Sequence, residues 1–270
     1  MPSPSTQAPG EPISGTGKDL EKTDLRGFKG HDAPPLPFTP PTAYDIQPMD
    51  VIGSDDRKVI TDTRPAPWCM VCHVVVENDY GDISTGTGWL GGPSTVYTAS
   101  HVLLDETQAH RTHRVWVIPG RQGNFGSTFE AVGFATHPLW LHGQPAGADV
   151  AAIWLPTPIG KQLGTFGFRA LEVANMNQLP VESAGYPDER DQGFPIGTPM
   201  WCRDRIRSVL PQLLATQLDT RIGQSGSPVF MRDTLGRPIA LGIHAYGNKT
   251  MNYAVRLTAD IVQQLAAWWR

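Results

Sequence analysis

The apolar residues from Val51 onward fall into short runs, separated by turn residues at intervals of about eight to twelve positions. The runs are rich in Val, Ile, Trp, Tyr and Thr, which is typical of β-strands. The pattern predicts strands over 69–77, 85–90, 95–99, 115–119, 130–136 and 150–155, and a second set over 171–174, 181–185, 198–207, 213–216, 227–231, 238–246 and 251–256. Two groups of short strands favour an all-β protein built from paired antiparallel barrels.

The two ends of the chain depart from this pattern. Apolar residues between 262 and 269 recur at helical spacing, and Thr258 or Asp260 can cap the amino terminus, so we predict a C-terminal helix. About one residue in five is proline over 1–50, where apolar periodicity is absent. Such a segment buries too little to offset its ordering entropy, which indicates a flexible tail or a pro-segment.

Composition excludes several classes of protein. The 270 residues are 40% hydrophobic and 18% charged, as in soluble globular domains. A net charge of −4 gives no excess of positive charge that would favour binding to nucleic acid or to an anionic membrane surface. No apolar run reaches the ~18 residues of a membrane helix. The three cysteines (Cys69, Cys72, Cys202) are too few for a disulfide framework or a zinc site, and we predict that they are buried structural residues.

A glycine-rich turn carries the first candidate for chemistry. In the string GQSGSP at 223–228, glycines flank Ser225, so the backbone can turn sharply and expose the hydroxyl. The N–H groups of Gly223 and Ser225 can point at one spot, which is the arrangement of an oxyanion hole. Taken alone, the string is equally compatible with an ordinary turn.

Two further segments supply what a serine nucleophile needs. His101 follows the apolar run VYTAS, and Asp149 opens the apolar run VAAIWL. A serine hydroxyl is a poor nucleophile without a base, and an acid beside that base fixes its tautomer and orientation. Each residue alone can be structural, as a rim histidine or a turn aspartate, but the three together predict a hydrolase.

The order His, Asp, Ser in TA-x-H, D-V-A and G-x-S-G-S-P resembles the chymotrypsin-like serine proteases, and the details resemble their bacterial glutamyl endopeptidase branch. VIGSDDR at 51–57 is similar to that branch's mature amino terminus. The resemblance implies a protease domain over 51–270 with two six-stranded antiparallel β-barrels and the site in the cleft between them. It makes His101 the general base, Asp149 the orienting acid and Ser225 the nucleophile.

The resemblance also implies a specificity for acidic residues. Thr220 and His244 stand at the branch's primary-pocket positions, and a hydroxyl beside an imidazole that can be protonated suits a substrate carboxylate. The α-amino group of a mature chain starting at Val51 would help to hold that carboxylate. Ala245 and Gly247 would offer backbone groups to the substrate strand. For His244, a strand histidine bonded within the barrel is the alternative.

This gives residues 1–50 a hypothetical role. While Val51 is joined to Asp50, its nitrogen is an uncharged amide, so the full chain should be a poorly active zymogen. Because Asp50 is acidic, activation could come from self-cleavage or from a second protease. The partners implied are protein or peptide substrates and, where activation is not autocatalytic, that activating protease.

The chain departs from the family at the positions of one disulfide. Gly86 and Val102 stand where many relatives have cysteines, and Ser100 replaces the usual glycine or alanine before the histidine. The missing disulfide favours a cytoplasmic protein. The first residues point the same way, because they contain neither the basic nor the apolar region of a secretory signal. If a signal had been removed, the protein would instead be secreted.

The sequence thus predicts a serine endopeptidase that cuts after glutamate, and less well after aspartate, through an acyl-enzyme. It needs neither a metal ion nor another cofactor. Two alternatives stay open, namely a protease of the same fold with another specificity and a binding module that has lost catalysis.

Overall fold

The computed structural model describes residues 51–104, 112–143 and 145–270. The proposed tail or pro-segment over 1–50 lies outside these residues. The strands are β1 Lys58–Val59, β2 Val71–Asn78, β3 Ile83–Leu90, β4 Thr95–Thr98, β5 Thr112–Pro119, β6 Phe129–Glu130, β7 Gly133–Thr136, β8 Ala151–Trp154, β9 Gly167–Phe168, β10 Pro180–Gly185, β11 Met200–Arg205, β12 Ser208–Val209, β13 Leu213–Thr216, β14 Pro228–Arg232, β15 Pro238–Gly247 and β16 Asn252–Arg256.

Helices are short except at the carboxyl end. The α-helices are α1 Ser100–Leu103, α2 Gly160–Leu163, α3 Val173–Met176 and α4 Ala259–Trp268, with 3-10 turns at Trp68–Met70, Pro138–Leu141, Ala146–Ala148 and Arg190–Gln192. Within the described ranges, no helix combines the length and the apolar character needed to cross a membrane.

The strands form two curled sheets, as the all-β prediction requires. One sheet has the order β6-β5-β2-β3-β4-β8-β7, and the other has the order β1-β11-β10-β14-β15-β16-β13-β12 with β9 beside β15. All pairings are antiparallel except β9 with β15. The described sheets hold seven and nine strands rather than six each, because the two-residue strands β1, β6, β9 and β12 add to them.

Two strand predictions need correction. The run over 130–136 is two strands, because β6 pairs with β5 while β7 pairs with β8, and the chain bends between them at the exposed Val132. The run over 171–174 is not a strand. Four consecutive exposed residues separate the buried Leu171 and Met176, a pattern that the alternation of a strand would not give, and Val173–Met176 forms the helical turn α3.

Helix α4 confirms the predicted C-terminal helix and packs on the first sheet. The Thr258 side chain accepts the hydrogen bond of a first-turn N–H group, which confirms it as the cap. Buried Leu265 accepts a hydrogen bond of 2.5 Å from the Tyr97 hydroxyl of β4. The Trp154 indole of β8 donates to the Trp268 carbonyl at 2.9 Å. The last helix therefore completes the first half of the fold.

The two positions of the missing disulfide face each other. A Cβ atom added at Gly86 would lie 2.6 Å from a methyl carbon of Val102, so the valine side chain occupies the space of the absent sulfur pair. The three cysteines are free and buried, which confirms the sequence prediction.

The segment that follows Val51 crosses to the second sheet. Strand β1 pairs with β11, with Lys58 opposite Trp201. The Ile60 N–H extends this contact with a hydrogen bond of 2.9 Å to the Pro199 carbonyl. This pairing holds residues 51–57 against the half of the molecule that contains Ser225.

Candidate active site

Three side chains from distant parts of the chain meet in one hydrogen-bonded line. The Ser225 Oγ lies 2.6 Å from His101 Nε2, and His101 Nδ1 lies 2.6 Å from Asp149 Oδ2. Asp149 is fully buried, Ser225 is buried and His101 is partly exposed. In this arrangement an imidazole can accept the serine proton while the carboxylate stabilises the positive charge that results. The structure brings together the three residues predicted from the sequence.

Local hydrogen bonds fix the imidazole and the carboxylate. His101 lies in α1, just after β4 ends, and its backbone N–H donates to Asp149 Oδ1 at 3.0 Å. Each oxygen of Asp149 therefore accepts a hydrogen bond from His101. The Ser100 hydroxyl donates to the Val150 carbonyl at 2.8 Å, which joins α1 to the start of β8. The serine that departs from the usual family residue thus adds a contact that glycine or alanine could not make.

The turn around Ser225 needs its glycines. Gly223 and Gly226 have φ values of +95° and +87°, in the region that favours glycine. A Cβ atom on Gly223 would come within 2.5 Å of the Tyr186 carbonyl oxygen. Among the described residues, no acceptor takes a hydrogen bond from the N–H of Gly223 or of Ser225. Both donors are thus available to an oxyanion.

Thr87 holds this turn from the opposite sheet. Its N–H donates to the Ser225 carbonyl at 2.8 Å, and its hydroxyl donates to the Gly223 carbonyl at 2.8 Å. The Gly223 carbonyl shares its peptide unit with the Gln224 N–H, and the Ser225 carbonyl shares its unit with the Gly226 N–H, so these contacts fix the backbone on the carboxyl side of Gly223 and of Ser225. Sequence reasoning missed Thr87. Its signal is weak, because a threonine between two glycines of β3 looks like any strand residue.

Two of the predicted pocket side chains are buried, and each contains a polar atom without a hydrogen-bond partner among the described residues. Thr220 Oγ1 and His244 Nε2 have no hydrogen-bond partner among the described residues, and both side chains are almost fully buried. The backbone of His244 is hydrogen-bonded to the turn around Ser225. Its N–H donates to the Ser227 carbonyl, and its carbonyl accepts from the Gly226 N–H, each at 2.8 Å. A polar side chain that reached these two atoms could supply the hydrogen bonds that they lack.

The charge of His244 differs from the sequence expectation. Burial, together with the nearby His101, lowers the pKa of His244 to about 3. The imidazole is therefore neutral in the empty pocket at neutral pH and can donate one N–H group. A carboxylate that enters the pocket favours the protonated form, because an opposite charge raises the pKa.

The residue after Val51 is attached to the same wall. The Ile52 N–H donates to Asp219 Oδ1 at 2.7 Å, and the Asp56 N–H donates to Asp219 Oδ2 at 2.8 Å. Asp219 directly precedes Thr220, so Val51 lies one residue from a contact with the pocket wall. Partial burial and Asp219 raise the pKa of Asp56 to about 6.

Strand β15 leaves one edge open near the site. Its pairing with β14 ends at Ile243, while its pairing with β16 continues to Gly247. The register on the β16 side shifts between His244 and Tyr246, so Ala245 occupies an irregularity. An extended peptide can therefore pair with Ala245 and Gly247 along the edge that β14 no longer covers.

The ranges that the structure describes contain no group of three or more His, Cys, Asp or Glu side chains placed to hold a metal ion. What the site offers is a hydroxyl, a base, an acid and two amide donors, beside the buried polar atoms Thr220 Oγ1 and His244 Nε2. This set can carry out acyl transfer.

Comparison with known proteins gives several matches. The sequence pattern of the trypsin family matches residues 62–268. The chain is 31% identical to a Bacillus licheniformis protein named glutamyl endopeptidase, over 95% of this chain and 77% of that protein. It is 25% identical to a Bacillus subtilis protein named extracellular metalloprotease, over 99% of this chain and 90% of that protein.

Solved structures give the same fold. A Glu endopeptidase superposes with a TM-score of 0.70 at 23% identity, over 81% of this chain and 98% of that chain. The protease Anisep from Arthrobacter nicotinovorans superposes with a TM-score of 0.63 at 16% identity, over 77% and 96%. At these identities the superpositions support the architecture.

Proposed function

Because the chain belongs to the trypsin family of chymotrypsin-like serine proteases, in the glutamyl endopeptidase branch, we propose that it hydrolyses peptide bonds after glutamate with Ser225, His101 and Asp149 as its catalytic residues. The observation that carries the proposal is the line of two 2.6 Å hydrogen bonds that joins the three side chains.

The mechanism follows from this geometry. Ser225 Oγ attacks the scissile carbonyl carbon while His101 Nε2 takes its proton, and Asp149 stabilises the imidazolium. The N–H groups of Gly223 and Ser225 hold the oxyanion of the tetrahedral intermediate. His101 then gives the proton to the leaving amine, and an acyl-enzyme remains. Water attacks it with the same base, which releases the acid and restores Ser225.

The preference for glutamate is supported by the unpartnered pocket atoms. A substrate carboxylate can accept hydrogen bonds from Thr220 Oγ1 and from His244 Nε2, and such charge-assisted bonds are stronger than neutral ones. A glutamine side chain is neutral and accepts through one oxygen alone, so it gains less from the same two atoms. Aspartate is one methylene shorter and reaches them less well.

Latency of the uncut chain is the second part of the proposal. Cleavage of the Asp50–Val51 bond creates a positive amine beside the pocket wall, close to the Ile52–Asp219 contact. The uncut chain offers an amide nitrogen instead and should bind a carboxylate more weakly. N-terminal sequencing and mass spectrometry of the active form test this, and full activity with Met1 still attached would contradict it.

A peptide panel tests the specificity. Substrates that differ only in Glu, Gln, Asp, Arg or Phe before the cut are compared by kcat/KM, with Ser225→Ala as the blank. We expect Glu to exceed Asp and both to exceed the rest. Cleavage without acidic preference would support a protease of other specificity, and no cleavage would support a binding module.

A further inference from the structure

The segment after Val51 contains two copies of the same local motif. In Asp55–Arg57 the arginine donates from Nε at 2.9 Å and from Nη2 at 2.6 Å to the carboxylate two residues earlier. In Asp62–Arg64 the matching distances are 2.8 Å and 2.9 Å. Their surroundings differ, because the Arg57 side chain is 1% exposed and that of Arg64 is 89% exposed. The local motif therefore does not explain the burial of Arg57.

The buried guanidinium of Arg57 contacts two further side chains. Arg57 Nη1 lies 2.5 Å from Glu189 Oε1, and it donates to Gln224 Oε1 at 3.2 Å. The Glu189 side chain is only 2% exposed. Burying a charge is costly unless it is paired, and Glu189 supplies a counter-charge to Arg57 as an ion pair, while its Oε2 lies 3.6 Å from Arg221 Nη1. The planar guanidinium then directs a third contact to Gln224.

Gln224 is the residue between the two oxyanion donors, Gly223 and Ser225. Its Oε1 also accepts from the Arg221 N–H at 3.0 Å, and its own N–H donates to the Arg221 carbonyl at 3.0 Å. The Gln224 side chain thus closes the turn over 221–224. Its Nε2 is buried without a partner among the described residues, so the side chain carries a cost that contacts of Oε1 must offset.

From these contacts we propose that Arg57 is a positioning residue for the oxyanion hole, acting through Gln224 and fixed by Glu189. The proposal rests on the proposed function, because it concerns the same hydrolytic site. Arg57 touches no reacting atom. It orients the Gln224 side chain, which closes the turn, and the turn directs the N–H groups of Gly223 and Ser225.

The test uses three variants of the full chain. Arg57→Lys keeps a charge opposite Glu189 but cannot hold Asp55 and Gln224 together. Gln224→Met keeps the volume, removes Oε1 and leaves the Arg57–Glu189 pair intact. It also removes one unpaired donor while freeing the Arg221 N–H, so we expect a Tm close to that of the parent. Arg64→Lys is the matched control in the exposed copy of the motif.

Two readouts separate positioning from stability. Steady-state kinetics on a Glu peptide should show kcat lowered about 10²-fold for Arg57→Lys and Gln224→Met with KM little changed, because small misplacements of catalytic donors have effects of this size. Sulfonylation of Ser225 by phenylmethylsulfonyl fluoride, which needs no acidic side chain, should slow in parallel. Arg64→Lys should match the parent in both.

The remaining outcomes distinguish failure of the positioning role from failure of the proposed function. A lowered Tm with unchanged kcat would make Arg57 a structural residue, and a raised KM with unchanged kcat would assign the network to the pocket. If the parent shows no acidic preference but Arg57→Lys still lowers both rates, the specificity fails and the positioning role stands. A parent that neither cleaves peptides nor reacts with the sulfonyl fluoride overturns the proposed function, and the positioning role with it.

Discussion

The catalytic line and the pocket beside it differ in how their polar atoms are satisfied. Each oxygen of Asp149 and each ring nitrogen of His101 has a partner at 2.6–3.0 Å. Thr220 Oγ1 and His244 Nε2 are buried as deeply, and the described residues offer them no partner. Under the proposed function, the reacting groups are already hydrogen-bonded to one another without substrate, whereas Thr220 Oγ1 and His244 Nε2 gain partners only when a polar side chain binds.

The difference has an energetic meaning. A buried polar atom without a partner costs about 1–3 kcal/mol of stability, and a ligand that satisfies it recovers this free energy on binding. A ligand that cannot satisfy it leaves the cost in place, so discrimination is strong where unpaired groups are buried. Under the proposed function, the unpartnered atoms of the predicted pocket lower the stability of the free protein and raise its selectivity, whereas the hydrogen bonds of His101 contribute to both stability and the reaction. The following experiments test the two sides separately.

We expect the largest effect on activity from a substitution in the hydrogen-bonded line of Ser225, His101 and Asp149. In Asp149→Asn, an amide that donates hydrogen bonds opposes the Nδ1–H of His101 and favours the wrong tautomer. We expect kcat to fall about 10⁴-fold on every cleaved peptide, with little change in KM. Steady-state kinetics with Glu and Asp peptides measure this. A loss confined to KM, or smaller than about tenfold, would mean that Asp149 does not orient His101.

We expect a smaller effect, selective for acidic substrates, from a substitution at the unpartnered atoms of the predicted pocket. His244→Ala removes one donor to the substrate carboxylate, so kcat/KM on Glu should fall about 10-fold to 100-fold, the range for hydrogen bonds to a charged group. On the matched Gln peptide, kcat/KM should change much less, because that side chain is neutral. Equal losses on the two peptides would show that His244 serves packing or the catalytic turn instead.

The smallest effect concerns the wall that carries Thr220. The pKa of Asp56 is raised from its ordinary value of 3.8 to about 6, so the folded state binds more protons between these values and loses stability as the pH rises through them. Asp56→Asn removes the charge. It should be more stable than the parent by about 1 kcal/mol or less near pH 8, given the partial exposure.

Thermal unfolding across pH measures this difference. We expect the advantage of Asp56→Asn to disappear below about pH 4, where the carboxyl of the parent is protonated in both states. A Tm difference that is the same at every pH would show that the substitution acts by packing and not by charge.

The triad was accessible from sequence because each member lies in a short, distinctive string. His101, Asp149 and Ser225 are predictable from TASH, ADV and GQSGSP, and the family order then connects them. The roles of Thr87, Gln224 and Glu189 could not be predicted in this way, because they depend on contacts between residues far apart in the chain. Thr87 and Gly223, for example, are 136 positions apart. No local pattern encodes such a pairing.

The same limit applies to the fold. Strand positions followed from short apolar runs between turn residues, and β13 lies at the residues predicted for it. The run at 171–174 failed because its apolar composition is equally suited to a helical turn, and burial of Leu171 and Met176 decides between the two. The neutral state of His244 was also missed, because hydration is lost only when the surrounding strands assemble.

Helix α4 has a consequence for synthesis. The first sheet ends with β8 at Trp154, but its partners on α4 lie more than a hundred positions later along the chain. Because α4 follows β16 along the chain, the half that carries His101 and Asp149 lacks the helix that packs on it until translation has passed Trp268. We therefore expect the first sheet to reach its final packing only after both sheets have been synthesised.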